Sequence, residues 1–189
     1  RGQEARRELA GTLQVSCVSG DARTLHHDPA SEHALFQVAS QFNLLEMVGP
    51  GVTPEDGVAG YAHDPTQGPA CAIAAGAATI YRNYFADVDG ASGQTKQRQI
   101  DCLRDVGREL GNAGESLWAM RNGYALCAAE GLRKINCRLS ASNAAELDDL
   151  RGLLRIGLHW DVEVTDAPEP APVVSQAFCS ALPVGYSEI

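Results

Sequence analysis

The sequence alternates between strand-like and helix-like hydrophobic patterns along its length, and this alternation restricts the possible folds more than any other feature. In the strand-like segments, apolar residues occupy every second position or form short continuous runs. Four segments have this character: 12–18, 34–39, 158–165 and 173–184. Because helix-like segments lie between the second and the third of them, the sequence predicts an α/β domain with a mixed, partly parallel sheet flanked by helices.

Four of the remaining segments are predicted to be helices: 69–85, 97–110, 112–127 and 143–157. The first begins at Pro69, a residue that suits the first helical turn, and is rich in alanine. The last two each begin with an Asn followed three residues later by a Glu, the spacing of a capping box. These pairs are Asn112 with Glu115 and Asn143 with Glu146.

The chain is predicted to be a single domain over residues 1–189. Three parts of it are expected to be less regular: an N-terminal arm at 1–11, a polar surface loop at 87–95 and a proline-rich connector at 166–172. The segment 43–69 is rich in Gly, Pro, Asp and Thr and reads as a long loop. Loops of this length in compact domains are usually functional, so we expect binding or catalytic residues in this segment.

The charge and hydrophobicity of the chain argue against two classes of partner. The 189 residues include 15 Lys and Arg against 24 Asp and Glu, for a formal net charge of −9. A surface of this sign disfavours direct binding to the phosphate backbone of nucleic acids. No apolar run reaches the ~18 residues that a membrane span requires, and residues 1–11 show no signal-peptide pattern. We therefore expect a soluble intracellular protein, cytoplasmic or nuclear, without a membrane partner.

The cysteines and histidines form no recognisable metal-binding pattern. Six cysteines are scattered without a C-x-x-C pair, which predicts free, buried thiols rather than disulfides or a zinc site. Adjacent histidines on an extended segment point in opposite directions, so a surface cluster is predicted for four of the five histidines. These are His26, His27, His33 and His63. The sequence predicts neither a bound metal nor a cofactor.

Three polar motifs follow the first two predicted strands or lie in the long loop. Gly20-Asp21 follows the first strand, the turn A-S-Q-F-N ends at Asn43 after the second, and G-V-A-G-Y spans residues 57–61. Open α/β sheets bind ligands beyond the carboxyl ends of their strands. An Asp there accepts a hydrogen bond from a purine amine, and an Asn holds a ribose hydroxyl or a water. A Gly-rich loop offers backbone N–H groups to a diphosphate.

In this order the three motifs resemble those of the macrodomain family, over about residues 12–62. The resemblance implies a macrodomain-like fold that binds ADP-ribose or a related nucleotide diphosphate sugar, or that hydrolyses the linkage of an ADP-ribosylated substrate. Asp21 would read the adenine, and Asn43 would contact the distal ribose. The diphosphate would be surrounded by Gly57, Val58, Ala59, Gly60 and Tyr61. For hydrolysis, the catalytic candidates are Asn43 together with Glu46 or Asp56 as the general base.

The resemblance also predicts that the chain is incomplete at its C-terminus. Macrodomains carry a second glycine-rich loop after a late strand, whereas here Gly185 stands isolated near the last residue, Ile189. The first residue is Arg1 rather than Met. We therefore expect the chain to be a piece of a longer protein, or to receive the missing loop from a partner segment.

A second set of residues predicts a different class of enzyme. The segment T-Q-G-P-A-C places Cys71 near a helix start, where the helix dipole lowers the pKa of a thiol. The segment L-H-W-D-V places His159 and Asp161 on a late strand. The order of Cys, His and Asp along the chain is similar to that of papain-like cysteine hydrolases. It implies Cys71 as nucleophile, His159 as base, Gln67 as oxyanion donor and either Asp161 or Asp166 as the group that orients the base. A non-catalytic interaction module is the third alternative.

Overall fold

The computed structural model describes residues 12, 14–46 and 48–179. Within these residues the strands are β1 (Leu35–Ala39), β2 (Asp87–Val88), β3 (Ala91–Ser92), β4 (Trp118–Arg121), β5 (Tyr124–Cys127), β6 (Gly157–Glu163) and β7 (Val173–Cys179). The helices of the same residues are α1 (Ala22–His27), α2 (Gln67–Ala74), α3 (Gly76–Tyr84), α4 (Arg104–Leu110), α5 (Ala129–Ala141) and α6 (Ala144–Gly152).

The central sheet has the strand order β1-β7-β6. Strand β7 lies in the middle, pairs in parallel with β1, and places Ser175 opposite Leu35. On its other side it pairs antiparallel with β6. The predicted α/β class, with helices and a mixed, partly parallel sheet, is therefore confirmed.

Two short hairpins lie outside this sheet, and one of them overturns a predicted helix. Strands β4 and β5 form a hairpin across residues predicted to be helical at 112–127. Its turn is Asn122-Gly123, with positive φ angles of 46° and 81°. An Asn-Gly pair is a strong hairpin signal, and here it outweighs the helical spacing of the apolar residues. Asn112 does not cap a helix: its side chain accepts hydrogen bonds from the Leu117 and Trp118 N–H groups.

The other helix predictions are confirmed in part. Asn143 and Glu146 form the predicted capping box at the start of α6, although this helix ends at Gly152 rather than at 157. Only the second half of the segment 97–110 is helical, as α4. The segment predicted to be one helix from Pro69 is divided into α2 and α3 at Ala75, whose ψ angle of 60° is not helical.

Two of the predicted strands differ from the structure. The described part of 12–18 forms no strand, and Cys17 is exposed. Strand β6 contains a bulge between His159 and Val162, which interrupts the regular alternation that the segment 158–165 predicts. Trp160 is 64% exposed, whereas His159 is half-buried. Residues 180–184 of the last predicted strand lie outside the described residues, as does the predicted arm at 1–11.

The segment predicted as a polar surface loop at 87–95 contains the β2–β3 hairpin and the buried side chain of Gln94. The predicted connector at 166–172 carries no helix or strand and joins β6 to β7. None of the helices in the described residues has the length and the apolar character to cross a membrane.

The buried core fixes helix α2 against the sheet. Five buried side chains form its centre: Val38, Leu44, Cys71, Cys102 and Phe178. Cys71 lies on α2, which packs against both β1 and α1. Because burial of apolar side chains is the main favourable contribution to folding, this packing holds the first turn of α2 next to the carboxyl end of β1.

Candidate functional site

A cleft of about 260 Å³ lies where the carboxyl end of β1 meets the first turn of α2. It is lined on the β1 side by Ser40 and Glu46 and on the helix side by Asp64, Thr66 and Gly68. The first N–H groups of a helix have no intrahelical acceptor, and the helix dipole is positive at this end. We therefore call this feature the β1–α2 cleft and treat it as the candidate site.

Gly68 allows the helix and the strand to approach this closely. A Cβ atom at residue 68 would overlap the Ala39 carbonyl oxygen and lie 3.3 Å from the Glu46 Cγ. The neighbouring Gln67 side chain ties the two elements together. Its amide oxygen accepts a hydrogen bond from the Ala39 N–H (2.9 Å), and its amide nitrogen donates one to the Gln37 carbonyl (2.7 Å). The cleft is therefore built on a fixed junction rather than on a free loop.

Two polar groups of the cleft are buried and have no hydrogen-bond partner among the described residues. They are Ser40 Oγ, on a residue that is 5% exposed, and Glu46 Oε2, on a residue that is 3% exposed. Buried polar atoms are nearly always paired, because an unpaired one costs about 1–3 kcal/mol. Since both residues line the cleft, a bound ligand is a natural source of the missing hydrogen bonds.

The other oxygen of Glu46 faces Arg82. Arg82 Nη2 lies 3.3 Å from Glu46 Oε1, and Arg82 Nε donates a hydrogen bond to the Leu44 carbonyl. The guanidinium also lies over the Phe178 ring, 3.3 Å from its centroid. Burial raises the pKa of Glu46 above its ordinary value, and Arg82 opposes this shift only in part. The Glu46 carboxyl therefore keeps its proton to a higher pH than a solvated glutamate does.

A second cavity, of about 270 Å³, lies beside the cleft and is lined by Asp21, Arg23 and Tyr61. Asp64 lines both cavities. The Tyr61 hydroxyl accepts a hydrogen bond from the Glu46 N–H (3.1 Å), which links the two walls. The hydroxyl and the N–H of Thr24 donate to Asp21 and lower the pKa of that carboxyl, so Asp21 is an anionic acceptor at neutral pH.

The structure brings together only some of the residues singled out from the sequence. Asp21, Glu46 and Tyr61 line these two cavities. Asn43 does not: it is fully buried, donates to the Gln99 side chain and accepts from the Leu45 N–H.

Other predicted contributors lie elsewhere. Asp56 is exposed and accepts hydrogen bonds from Thr53 in a local turn. The loop residues from Gly57 to Gly60 do not line the cleft or the cavity beside it. Ser40 and Gly68 were not predicted as site residues, although Gly68 belongs to the T-Q-G-P run at the helix start.

The geometry disfavours Cys71 as a nucleophile. Helix α2 begins at Gln67, so Cys71 is the fifth helical residue rather than a residue at its end. It is 1% exposed, and burial, together with the nearby charge of Glu46, raises the pKa of its thiol to about 12. A thiol in this environment stays protonated at neutral pH and is inert.

The other members of that constellation make contacts with different partners. His159 packs edge-on against the rings of Tyr81 and Phe178, and burial, with a contribution from Arg82, lowers its pKa to about 4. Asp161 lies in the β6 bulge with a φ angle of 53°, and Asp166 pairs with Arg23. No hydrogen bond joins Cys71 to His159 in the described part of the chain.

The histidines and cysteines differ from the expectations in two respects. His26 is fully buried and stacks on the Phe36 ring at 3.7 Å, so it is not part of a surface cluster. All six cysteines are free, but only Cys71 and Cys102 are buried, whereas Cys17, Cys127 and Cys137 are exposed. Among the described residues, no group of three or more His, Cys, Asp or Glu side chains is placed to hold a metal ion.

Comparison of the chain with protein-family models, with curated proteins and with solved structures gives no match. The function is therefore inferred from the chemistry of the site and not from a related protein.

Proposed function

We propose that the chain binds ADP-ribose, or a related nucleotide diphosphate sugar, in the β1–α2 cleft and the cavity beside it. The single observation that carries this proposal is the buried, unpartnered hydroxyl of Ser40 beside the Gly68 turn of α2. A helix start that lies against the carboxyl end of a parallel strand is a common place for phosphate groups, because free N–H groups and the helix dipole both favour an anion.

The two cavities suit different parts of such a ligand. The diphosphate would accept hydrogen bonds from the first N–H groups of α2, at Gln67 and Gly68. The adenine would lie in the neighbouring cavity, where the ionised Asp21 accepts a hydrogen bond from its exocyclic amine. The distal ribose would complete the hydrogen bonding of Ser40 and Glu46.

The resemblance to macrodomains supports the proposal through Gly20-Asp21 and the A-S-Q-F-N turn, because Asp21 and Ser40 both line the proposed site. In this proposal the diphosphate-binding turn is the segment 64–68 rather than the loop 57–60. Hydrolysis of an ADP-ribosyl linkage is its enzymatic extension. The bond from the anomeric carbon to the ADP-ribosylated group would break as water adds to that carbon. Glu46, whose raised pKa favours the protonated acid, would protonate the departing group, and the added water would lose its proton to solvent.

The Ser40→Ala substitution tests the proposal without disturbing the fold. We expect about tenfold weaker binding of ADP-ribose in a calorimetric titration, because one hydrogen bond to the ligand is lost. The free energy of unfolding should not fall, since the hydroxyl has no partner to lose among the described residues.

Ser175→Ala is the matched control. Ser175 is also a buried serine, but it lies on β7 and its hydroxyl accepts a hydrogen bond from the Asp161 N–H. This variant should bind ADP-ribose as tightly as the wild type does. Equal affinities for the wild type, Ser40→Ala and Ser175→Ala would remove Ser40 from the site, and the absence of any binding to the wild type would remove the function.

A further inference from the structure

A cavity larger than the β1–α2 cleft lies away from it. Its volume is about 530 Å³, and it shares no lining residue with the cleft. The turn of the β4–β5 hairpin forms one wall, and the segment 96–101 forms another. Four cationic side chains line it: Lys96, Arg98, Arg104 and Arg121. We call it the basic cavity.

The positive charges of the basic cavity are only partly neutralised. Arg104 makes a two-pronged ion pair with Asp89, with distances of 2.9 and 3.2 Å. Lys96 and Arg121 are exposed, and neither forms an ion pair with any described residue. Asp101, the other carboxylate in the wall, accepts a hydrogen bond from the Leu103 N–H instead.

Arg98 interacts electrostatically with Asp89 but makes its hydrogen bonds to backbone groups. Its Nη2 group donates to the carbonyl oxygens of Ser92 and Gly93, which are neutral acceptors. Its Nε is buried and has no hydrogen-bond partner among the described residues. Hydrogen bonds from a charged donor to a phosphate oxygen are stronger than those to a neutral group. An anion in the cavity would therefore supply the hydrogen-bond acceptor that Arg98 Nε lacks.

The floor of the basic cavity is held in one arrangement by side-chain amides. Gln99 donates to the Asn122 side chain (2.9 Å), and Asn122 donates to the Pro50 carbonyl (2.7 Å). Asn43, which the sequence predicts to contact a ligand, instead donates a hydrogen bond to the Gln99 side chain (2.9 Å) and so stabilises this floor. A preorganised polar floor under several cations is typical of a ligand site rather than of a solvated surface.

We propose that the basic cavity binds a small phosphate-bearing molecule, a phosphomonoester or diphosphate of nucleotide size. Four cationic side chains line the cavity against the two carboxylates of Asp89 and Asp101, and in a chain of net charge −9 this local excess of positive charge concentrates anions. The volume accommodates a nucleotide-sized ligand. This site is independent of the ADP-ribose proposal, which concerns the β1–α2 cleft.

Inorganic pyrophosphate is the probe, and amide chemical shifts in a ¹H–¹⁵N NMR titration separate the two sites. The Gly123 amide reports on the basic cavity, and the Gly68 amide reports on the cleft. We expect a saturable shift at Gly123 in the wild type. In the Lys96→Gln/Arg121→Gln double variant, we expect the affinity read at Gly123 to fall about tenfold, because two cation–phosphate contacts are lost.

The control is the Arg133→Gln/Lys134→Gln double variant on the exposed face of α5, which removes the same total charge from residues that do not line the cavity. It should keep the wild-type affinity at Gly123. No saturable shift at Gly123, or equal affinities in the two double variants, would overturn the proposal. A response at Gly68 alone would overturn it as well while leaving the ADP-ribose proposal intact.

Discussion

Replacing Arg82 with methionine is expected to lower the free energy of unfolding by about 4 kcal/mol. The Arg82 side chain is 2% exposed and holds together the Glu46 carboxyl, the Leu44 carbonyl and the Phe178 ring. Methionine fills similar space but donates no hydrogen bond, so the Glu46 carboxyl and the Leu44 carbonyl are left buried without their donor. Urea unfolding at neutral pH measures the change.

Two further variants make this result specific to the buried pair. Arg104→Met removes an exposed ion pair with Asp89 and should have only a small effect. Adding Glu46→Leu to Arg82→Met should recover part of the lost stability, because the double variant no longer buries a carboxyl group without its hydrogen-bond donor. If Arg82→Met unfolds at the same urea concentration as the wild type, the pair does not stabilise the fold as we describe.

The Gly68→Ala substitution is expected to have the second largest effect, a loss of about 3 kcal/mol in stability together with the loss of ADP-ribose binding. The new methyl group would overlap the Ala39 carbonyl oxygen, a backbone atom that cannot move aside alone. The first turn of α2 must then shift away from β1, and the N–H groups that the ligand needs shift with it. Urea unfolding and calorimetric titration with ADP-ribose report the two effects.

Gly152→Ala is the control for this substitution. Gly152 ends helix α6, and a Cβ atom there meets nothing within 4 Å. Alanine has the higher helix propensity, so this variant should be as stable as the wild type or slightly more stable, with unchanged binding. A Gly68→Ala variant that matches Gly152→Ala in both measurements would show that the strand and the helix do not need their close contact.

The parts of the fold that depend on local signals are those that the sequence predicts well. The capping box of Asn143 and Glu146 and the helix end at Gly111 need only neighbouring residues, and both are present. In the segment 112–127 two local signals predict different structures: the spacing of the apolar residues predicts a helix, and Asn122-Gly123 predicts a hairpin turn. The structure has the hairpin. The bulge of β6 is set by pairing with β7, and alternation alone gives no sign of it.

The candidate site shows the same division. Asp21 and Glu46 follow from motif position, and the structure places both at adjacent cavities. Ser40 and Gly68 matter because α2 packs against β1, a contact between residues almost thirty positions apart that no short motif encodes. Asn43 lies in the predicted turn, but its side chain is drawn inward by Gln99. Position along the chain was therefore informative, whereas side-chain direction depended on tertiary packing.

A crystal structure of the protein with ADP-ribose would show whether the β1–α2 cleft binds this ligand. We expect the diphosphate within hydrogen-bond distance of the Gly68 N–H, the Ser40 hydroxyl in contact with the ligand, and the adenine amine against Asp21. A ligand that binds only in the basic cavity, or a β1–α2 cleft that stays empty at saturating ADP-ribose, would contradict the proposed function.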